Sequence, residues 1–210
     1  MSQLFVDMEL CDGMNVEERW VKRLADMVGA LVGMVVLSPL FLVIYLLLKV
    51  EGSGPAIFRQ ERIGYKGKAF FILKFRTMKS DSEKDGMPRL AEKDDDRLTP
   101  VGKFLRTYHL DELPQLWNVL RGDMSFVGPR PERQYFIDLI MKENPNYEYI
   151  FLMRPGLTSM ATLYNGYTDT MQKMLIRLDM DLDYLQHRSL WLDSKIIFTT
   201  VCFILKGKKF

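Results

Sequence analysis

Hydrophobic and polar positions divide this chain into three stretches of different character. Residues 27–48 (MVGALVGMVVLSPLFLVIYLLL) are 22 in a row without a formal charge. A straight helix of that length measures about 33 Å, against a bilayer hydrocarbon core of about 30 Å. Residues 56–64 and 68–76 mix β-branched and aromatic residues with bases and predict two strands, paired as a hairpin through a turn at Tyr65-Lys66-Gly67. From residue 97 onward the spacing turns helical. Thr99 is an N-cap with Pro100 in the first turn of one helix. A second helix is predicted to begin around Asp111-Glu112-Leu113-Pro114, with Pro114 in its first turn, and to end at Gly122. Tyr164-Asn165-Gly166-Tyr167 predicts a turn, and residues 171–192 a further helix carrying Asp179, Asp181 and Asp183.

The flanks of the long apolar run argue about its topology. An acidic lead (Asp7, Glu9, Asp12, Glu17, Glu18) and the following Lys49-Val50-Glu51 speak against a cleaved signal peptide. Arg19, Lys22 and Arg23 precede the run, while residues 49–79 hold eight Lys/Arg against two acids, Glu51 and Glu61. The positive-inside rule places both ends on the cytoplasmic side, which a single crossing cannot satisfy and a hairpin can. Ser38-Pro39 sits near the midpoint, where Pro39 removes a helix hydrogen bond and Ser38 is suited to satisfy the freed backbone. On these grounds the segment is either a re-entrant helix–break–helix or a proline-kinked crossing helix. Gly29 and Gly33 form a GxxxG that lets helices approach closely. Near the other end, residues 196–205 (IIFTTVCFIL) lie between Lys195 and the basic residues Lys206, Lys208 and Lys209. Too short to cross, this run suits either the membrane interface or a buried core helix.

Composition narrows the class. The 210 residues are 48% hydrophobic and 27% charged, which excludes a disordered chain. They suffice for one sizeable domain or two small ones, and neither an internal repeat nor a separable second domain is visible. The net charge of +2 gives no argument for nucleic acid. Two cysteines, Cys11 and Cys202, make neither a disulfide scaffold nor a zinc finger and fit a reducing compartment. Residues 80–96 carry seven acids and three bases with Gly86 and Pro88 and predict a solvated loop, its Asp94-Asp95-Asp96 run included.

The candidate chemistry is anionic. At the predicted helix start, Asp111 and Glu112 sit at the positive end of a macrodipole. Gly128-Pro129-Arg130-Pro131 holds Arg130 on a stiff loop with Arg133 close behind, and Arg154-Pro155-Gly156 repeats the pattern; guanidinium groups bind phosphate oxygens as a fork. Adjacent carboxylates with fixed arginines suit phosphoryl transfer, in which one carboxylate attacks in line and cations take up the developing charge. They suit glycoside hydrolysis less, since its acid pair must straddle a glycosidic bond. His109, His187 and Asp123 read as structural, and Trp117 and Trp191 as core packing.

The string Arg97-Leu98-Thr99-Pro100-Val101-Gly102, Leu110-Asp111-Glu112-Leu113-Pro114-Gln115-Leu116-Trp117-Asn118-Val119-Leu120, Gly122-Asp123-Met124-Ser125 and Val127-Gly128-Pro129-Arg130-Pro131 resembles the bacterial sugar transferases, the monotopic polyprenyl-phosphate phosphoglycosyl transferases. Lys74-Phe75-Arg76-Thr77-Met78, Arg154-Pro155-Gly156-Leu157-Thr158 and Ser189-Leu190-Trp191-Leu192-Asp193 match as well, so the resemblance covers Arg19 to the C-terminus in order. It implies a mixed α+β, helix-rich fold: a monotopic membrane protein with a re-entrant helix broken at Ser38-Pro39, a small β-hairpin and interfacial helices. The implied organisation is residues 1–23 as lead, 24–50 as membrane hairpin and 51–210 as catalytic domain with an interfacial C-terminal helix. Beside larger relatives with a multi-span N-terminal domain, the resemblance leads us to expect a near-minimal catalytic unit. The implied setting is the cytoplasmic face of a bacterial inner membrane, with membrane lipids as surroundings and a homodimer compatible with the pattern.

The implied reaction moves a phospho-sugar from a UDP-sugar to undecaprenyl (polyprenyl) phosphate and releases UMP, with Mg²⁺ required. Asp111 is the implied nucleophile of a ping-pong sequence through an aspartyl phosphosugar, and Glu112 supports it and the metal. Arg130 is the best-matched phosphate ligand, followed by Lys74, Arg76, Arg97, Arg133 and Arg154; Asp181 falls where the family tends to carry an acid. The stretch Ser159-Met160-Ala161-Thr162-Leu163 departs from the common Gly and Gln-Val continuation, so no sugar identity carries over. Two other readings remain: an inactive membrane-anchored assembly protein, and a metal-dependent UDP-sugar phosphohydrolase.

Overall fold

Helix α1 (Val16–Val36) starts well before the apolar run, on a capping box in which Asn15 Oδ1 accepts from the Glu18 N–H and Glu18 Oε2 accepts from the Asn15 N–H. The computed structural model describes residues 10–52, 54–78, 97–166 and 168–206. At Leu37 the chain bends by 61° into α2 (Ser38–Glu51), with Pro39 in the first turn of α2 where its missing N–H costs nothing. Ser38 Oγ donates to the Val35 carbonyl at 2.8 Å, so the break recovers an acceptor that the ladder gives up. Among the described residues no single helix is long and apolar enough to cross a bilayer; α1 and α2 qualify only as a bent pair.

Two strands follow, β1 (Ile57–Ile63) and β2 (Ala69–Phe75), antiparallel with Ile57 opposite Phe75 and Ile63 opposite Ala69. Their connection at Tyr65–Gly67 is a 3-10 turn in which Lys66 and Gly67 take positive φ, as the sequence predicts for a tight hairpin. The acidic stretch 80–96, with Asp94-Asp95-Asp96, lies outside the described residues.

Helices α3 (Pro100–Thr107) and α4 (Gln115–Arg121) bracket a separate 3-10 turn at Leu110–Glu112. This corrects the sequence expectation. Asp111 and Glu112 do not open α4, because Pro114 is its N-cap and the seven-residue helix begins after it. Strand β3 (Ser125–Val127) leads to α5 (Gln134–Glu143), and β4 (Gly156–Thr158) pairs parallel with β3. Helix α6 (Met160–Tyr164) then precedes α7 (Met171–His187) and α8 (Leu190–Leu205). The predicted single helix over 171–192 is thus two, since Arg188 is extended and Ser189 caps α8 by accepting from the Leu192 N–H.

Three apolar clusters hold these elements. The largest joins α5, α7 and the 145–152 segment through Phe136, Ile137, Tyr147, Leu178 and Leu185. A second sets Ala30 of α1 on Ile72, Val119 and Met124, and a third sets Ile44 and Leu48 of α2 on Phe75 and Leu105. The bent helix pair is therefore built into the domain. A Cβ at Gly29 would stand 2.9 Å from the Phe126 ring and one at Gly33 3.3 Å from Leu116, so these glycines let α1 lie close on α4 and β3. Polar ties finish the junction: Lys22 Nζ meets Asp193 Oδ2 at 2.5 Å, and Tyr184 Oη donates to Asp193 Oδ1 at 2.5 Å. Asp26 accepts the Phe126 N–H at 3.2 Å.

The outer faces remain apolar. Leu31, Val32, Val35, Val36, Leu42, Leu46 and Leu47 on α1 and α2 are all exposed, as are Phe198 and Leu205 on α8. The run 196–205 is accordingly not a buried core helix, although Ile196 at its start is buried. Trp117 and Trp191, expected in the core, are exposed at 50% and 79%.

Candidate active site

The site is assembled around α4, whose position is fixed at its middle and at its C-terminal end. Asn118 lies on its buried face and pairs with the edge of β2: its Oδ1 accepts the Leu73 N–H at 3.0 Å and its Nδ2 donates to the Phe71 carbonyl at 2.8 Å. A side-chain amide has one acceptor and two donors, so it mimics a strand and locks α4 to the strand that carries Lys74. At the C-terminal end of α4, Arg23 donates to the carbonyls of Val119 at 2.7 Å and Leu120 at 2.9 Å, and Arg154 Nε donates to the Gly122 carbonyl at 3.0 Å. These are the terminal acceptors that a helix leaves unpaired.

Just before α4, His109 is held in the left-handed region with φ 55° and turns the chain into the Leu110–Glu112 turn. That turn directs Asp111 and Glu112 into a cavity of about 530 Å³, whose lining also includes Lys74, Arg106, His109 and Arg130. Lys74 Nζ meets Glu112 Oε1 at 2.5 Å, and Arg130 Nη1 lies 3.7 Å from the same oxygen. Asp111 is 6% exposed. The two carboxylates differ in chemistry. Burial raises Asp111 above the ordinary carboxylate range, with Glu112 adding to the rise and Lys74 and Arg106 pulling against it. Burial raises Glu112 too, but Lys74 and Arg130 outweigh it and hold that carboxyl well below the usual range. Glu112 is therefore a fixed, paired anion. Asp111 is the more basic oxygen and the better nucleophile once ionised.

Arg130 is projected from a loop whose backbone leaves no spare room. Gly128 lies against the Arg154–Gly156 backbone, and a Cβ there would stand 2.3 Å from the Arg154 carbonyl oxygen. Gly128→Ala is expected to cost about 2 kcal/mol of stability, which a lowered melting temperature would register, and to displace Arg130.

The remaining predicted residues divide. Arg76 is buried and donates to the carbonyls of Leu48 at 2.5 Å and Gly52 at 3.3 Å, closing the end of α2. Arg154 stacks on the Tyr65 ring, 4.9 Å from its centroid. Arg97 stands beside the isolated bridge between Met78 and Leu98, and Arg133 caps α5. None of these four lines the cavity. Asp181 lies on α7 in a buried polar group that sequence reasoning missed. There Glu132 accepts from Arg177 Nη2 at 2.5 Å and lies 3.4 Å from Arg62 Nη1, while Arg177 Nη1 donates to Thr168 Oγ1 at 2.8 Å. The available signal was Glu132 itself, an acid directly after the stiff Pro-Arg-Pro segment.

Asp181 is 4% exposed and its Oδ1 has no hydrogen-bond partner among the described residues. Burial pushes its carboxyl up to about 7, with Arg177 pulling part of the way back and Glu132 adding to the rise. A folded-state value above the unfolded one means that stability is fully present below about pH 4 and is lost as pH rises toward 7. Asp181→Asn, a neutral isostere, is expected to melt several degrees above the parent at pH 8, with the gap clearly narrower at pH 5 and closing only below about pH 4. Melting curves at the two pH values check this.

The family pattern of the bacterial sugar transferases matches residues 17–207. A UDP-N-acetylgalactosamine-undecaprenyl-phosphate N-acetylgalactosaminephosphotransferase from Aeromonas hydrophila is 41% identical over 188 residues, 90% of this chain and 44% of the relative. A UDP-glucose:undecaprenyl-phosphate glucose-1-phosphate transferase from Caulobacter vibrioides is 44% identical over 182 residues, 86% of this chain and 68% of the relative. An exopolysaccharide production protein PSS from Rhizobium leguminosarum bv. phaseoli is 37% identical over 201 residues, covering 98% of that protein. The chain spans less than half the length of the Aeromonas relative and about two thirds of the Caulobacter one. With the pattern matched over nearly its whole length and the motif carboxylates and arginine gathered in one cavity, the chain belongs to the bacterial sugar transferase family.

Proposed function

We propose that this chain is a sugar-1-phosphate transferase that moves a phospho-sugar from a UDP-sugar to undecaprenyl phosphate and releases UMP. The observation that carries the reading is a buried, basic Asp111 lining one cavity together with a Glu112 held by Lys74 and Arg130. The names of the relatives give the donor and acceptor classes. In the first half-reaction an Asp111 carboxylate oxygen attacks the sugar-linked phosphorus. The bond from that phosphorus to the bridging oxygen breaks, and UMP departs with the electron pair. In the second, an oxygen of the lipid phosphate attacks the same phosphorus and expels the Asp111 carboxylate. Lys74 and Arg130 take up charge on the phosphoryl oxygens in both halves.

Mg²⁺ fits the same carboxylates. Asp111 and Glu112 are hard oxygen donors, and no group of three or more His, Cys, Asp or Glu among the described residues forms an all-protein cage. That donor set suits an ion which takes its remaining ligands from water and substrate phosphates. When bound there it supplies neutralisation of diphosphate charge.

The lipid acceptor places this chemistry at a membrane, and the exposed apolar faces of α1, α2 and α8 support that reading, since soluble monomers rarely expose such contiguous surface. Helices α1 and α2 then enter and leave by the cytoplasmic leaflet. With Cys11 and Cys202 changed to serine, single cysteines at Glu17 and Lys49 are expected to react equally with an impermeant thiol reagent from the cytoplasmic side only. Labels on opposite faces would refute the re-entrant arrangement. The reaction itself is tested by UMP release in detergent with Mg²⁺, undecaprenyl phosphate and a panel of UDP-sugars. Sustained UDP-sugar consumption without the lipid phosphate would point instead to a phosphohydrolase.

A further inference from the structure

The cavity has a second polar wall that the reaction as written leaves idle. Besides the charged catalytic groups, its lining includes Thr158 of β4, Thr162 of α6, Thr168, Arg177 of α7 and Thr200 of α8, joined in the contacts Thr158–Thr200 and Arg177–Thr168. We propose that this wall receives the neutral sugar ring of the donor and reads its hydroxyl groups. The proposal rests on the transferase reading above and assigns a task within it.

Charge distinguishes the two sets of groups. Lys74 and Arg130 both meet Glu112 and suit a diphosphate, whereas Arg177, which also lines the cavity, is met directly by Glu132 at 2.5 Å. A paired guanidinium with N–H groups toward a cavity is a hydrogen-bond donor for neutral oxygen more than an anchor for a phosphate. The hydroxyls are also oriented. Thr200 Oγ1 gives its proton to the Ile196 carbonyl at 2.8 Å, so in its 2.8 Å contact with Thr158 the proton must come from Thr158. Thr158 Oγ1 is left with acceptor lone pairs. Thr168 Oγ1 accepts from Arg177 and keeps its own proton to donate. The wall thus offers an acceptor and a donor, the complement of sugar hydroxyls, which need both.

The reaction gives a second reason. UMP leaves after the first half-reaction, while the sugar stays bonded to the phosphorus held on Asp111 until the lipid phosphate arrives. The sugar is the part of the donor that must fit this cavity in both halves. Of these residues, Thr162 lies in the stretch from Ser159 to Leu163 where the sequence departs from the common family pattern.

The test uses the full chain in detergent with Thr158→Val and Thr168→Val, each checked for an unchanged melting temperature. Two readouts are compared: kcat/KM for UMP release across C4-epimeric UDP-hexoses, and the affinity for UDP, which has the nucleotide and diphosphate but no sugar. Each variant is expected to lose about tenfold in kcat/KM for the preferred donor and to narrow the ratio between epimers, with UDP affinity held within about twofold. A parallel loss of UDP affinity would assign the wall to the nucleotide and overturn the proposal. So would unchanged donor kinetics, or a rise confined to the half-saturating concentration of lipid phosphate. Absence of UMP release from the parent with every donor is a different result, which removes the transferase reading and the sugar assignment with it.

Discussion

Asp111→Asn is expected to lower UMP release by roughly 10⁴-fold or more, the scale on which removal of a covalent nucleophile acts. An amide has the shape of the carboxylate but no anionic oxygen to bond phosphorus. The substitution is unusual in being mild for the fold. Asp111 is buried and its ionised form is disfavoured by burial and by Glu112, so an uncharged group there relieves a cost. The melting temperature should hold or rise while activity vanishes. Glu112→Gln makes the contrast: it leaves Lys74 and Arg130 facing a neutral amide, and should lose stability along with a smaller share of rate. Mass spectrometry of the parent with UDP-sugar alone should find one phosphosugar adduct, absent from Asp111→Asn. Near-parental turnover by that variant would remove Asp111 from the nucleophile role.

The expectations that the structure supports are those set by local chemistry. Ser38-Pro39 broke the apolar run because the proline effect acts within one turn, and the β1–β2 hairpin followed from two short strands with a tight turn between them. Where distant segments decide, sequence reasoning failed. The parallel pairing of Ser125 with Gly156 joins two three-residue strands too short to leave a periodic signal. The placement of Asp111 and Glu112 at a helix start assumed that Pro114 lies inside α4. In the fold His109 takes the left-handed region and a 3-10 turn carries the pair instead. Arginines show the limit most clearly. Arg76, Arg130 and Arg154 look alike beside prolines, glycines and aromatics, yet Arg130 faces the cavity while Arg76 and Arg154 bond carbonyls near helix ends. A guanidinium's partner is set by tertiary contact, which pattern does not encode. Trp117 and Trp191 fall in the same class: their helices are correct, and their exposed faces are fixed by what packs opposite.

Arg177→Met is expected to destabilise the chain by about 3–5 kcal/mol, a fall in melting temperature of roughly 10 °C, because it removes one partner of a buried ion pair. Glu132 and Arg177 side chains are each 8% exposed, and Arg62 also contacts Glu132, at 3.4 Å. Methionine keeps the apolar stem of the arginine, so the loss reports the charge and its hydrogen bonds to Glu132 and Thr168 rather than packing. The distinguishing measurement is the triple replacement Arg62→Met, Glu132→Leu, Arg177→Met. Measured below about pH 6, where Asp181 stays protonated and no buried charge is left unpaired, a network that serves stability alone should tolerate it, recovering most of the melting temperature. Activity should not return with it. Arg177 lines the cavity and Glu132 directly follows the loop that positions Arg130, so the triple variant would have a sound core and a sugar wall without its donor. Recovery of stability with donor kcat/KM still depressed would show that the charges are kept for the site. Recovery of both would reduce the network to packing, and failure to recover either would show that the fold itself depends on it.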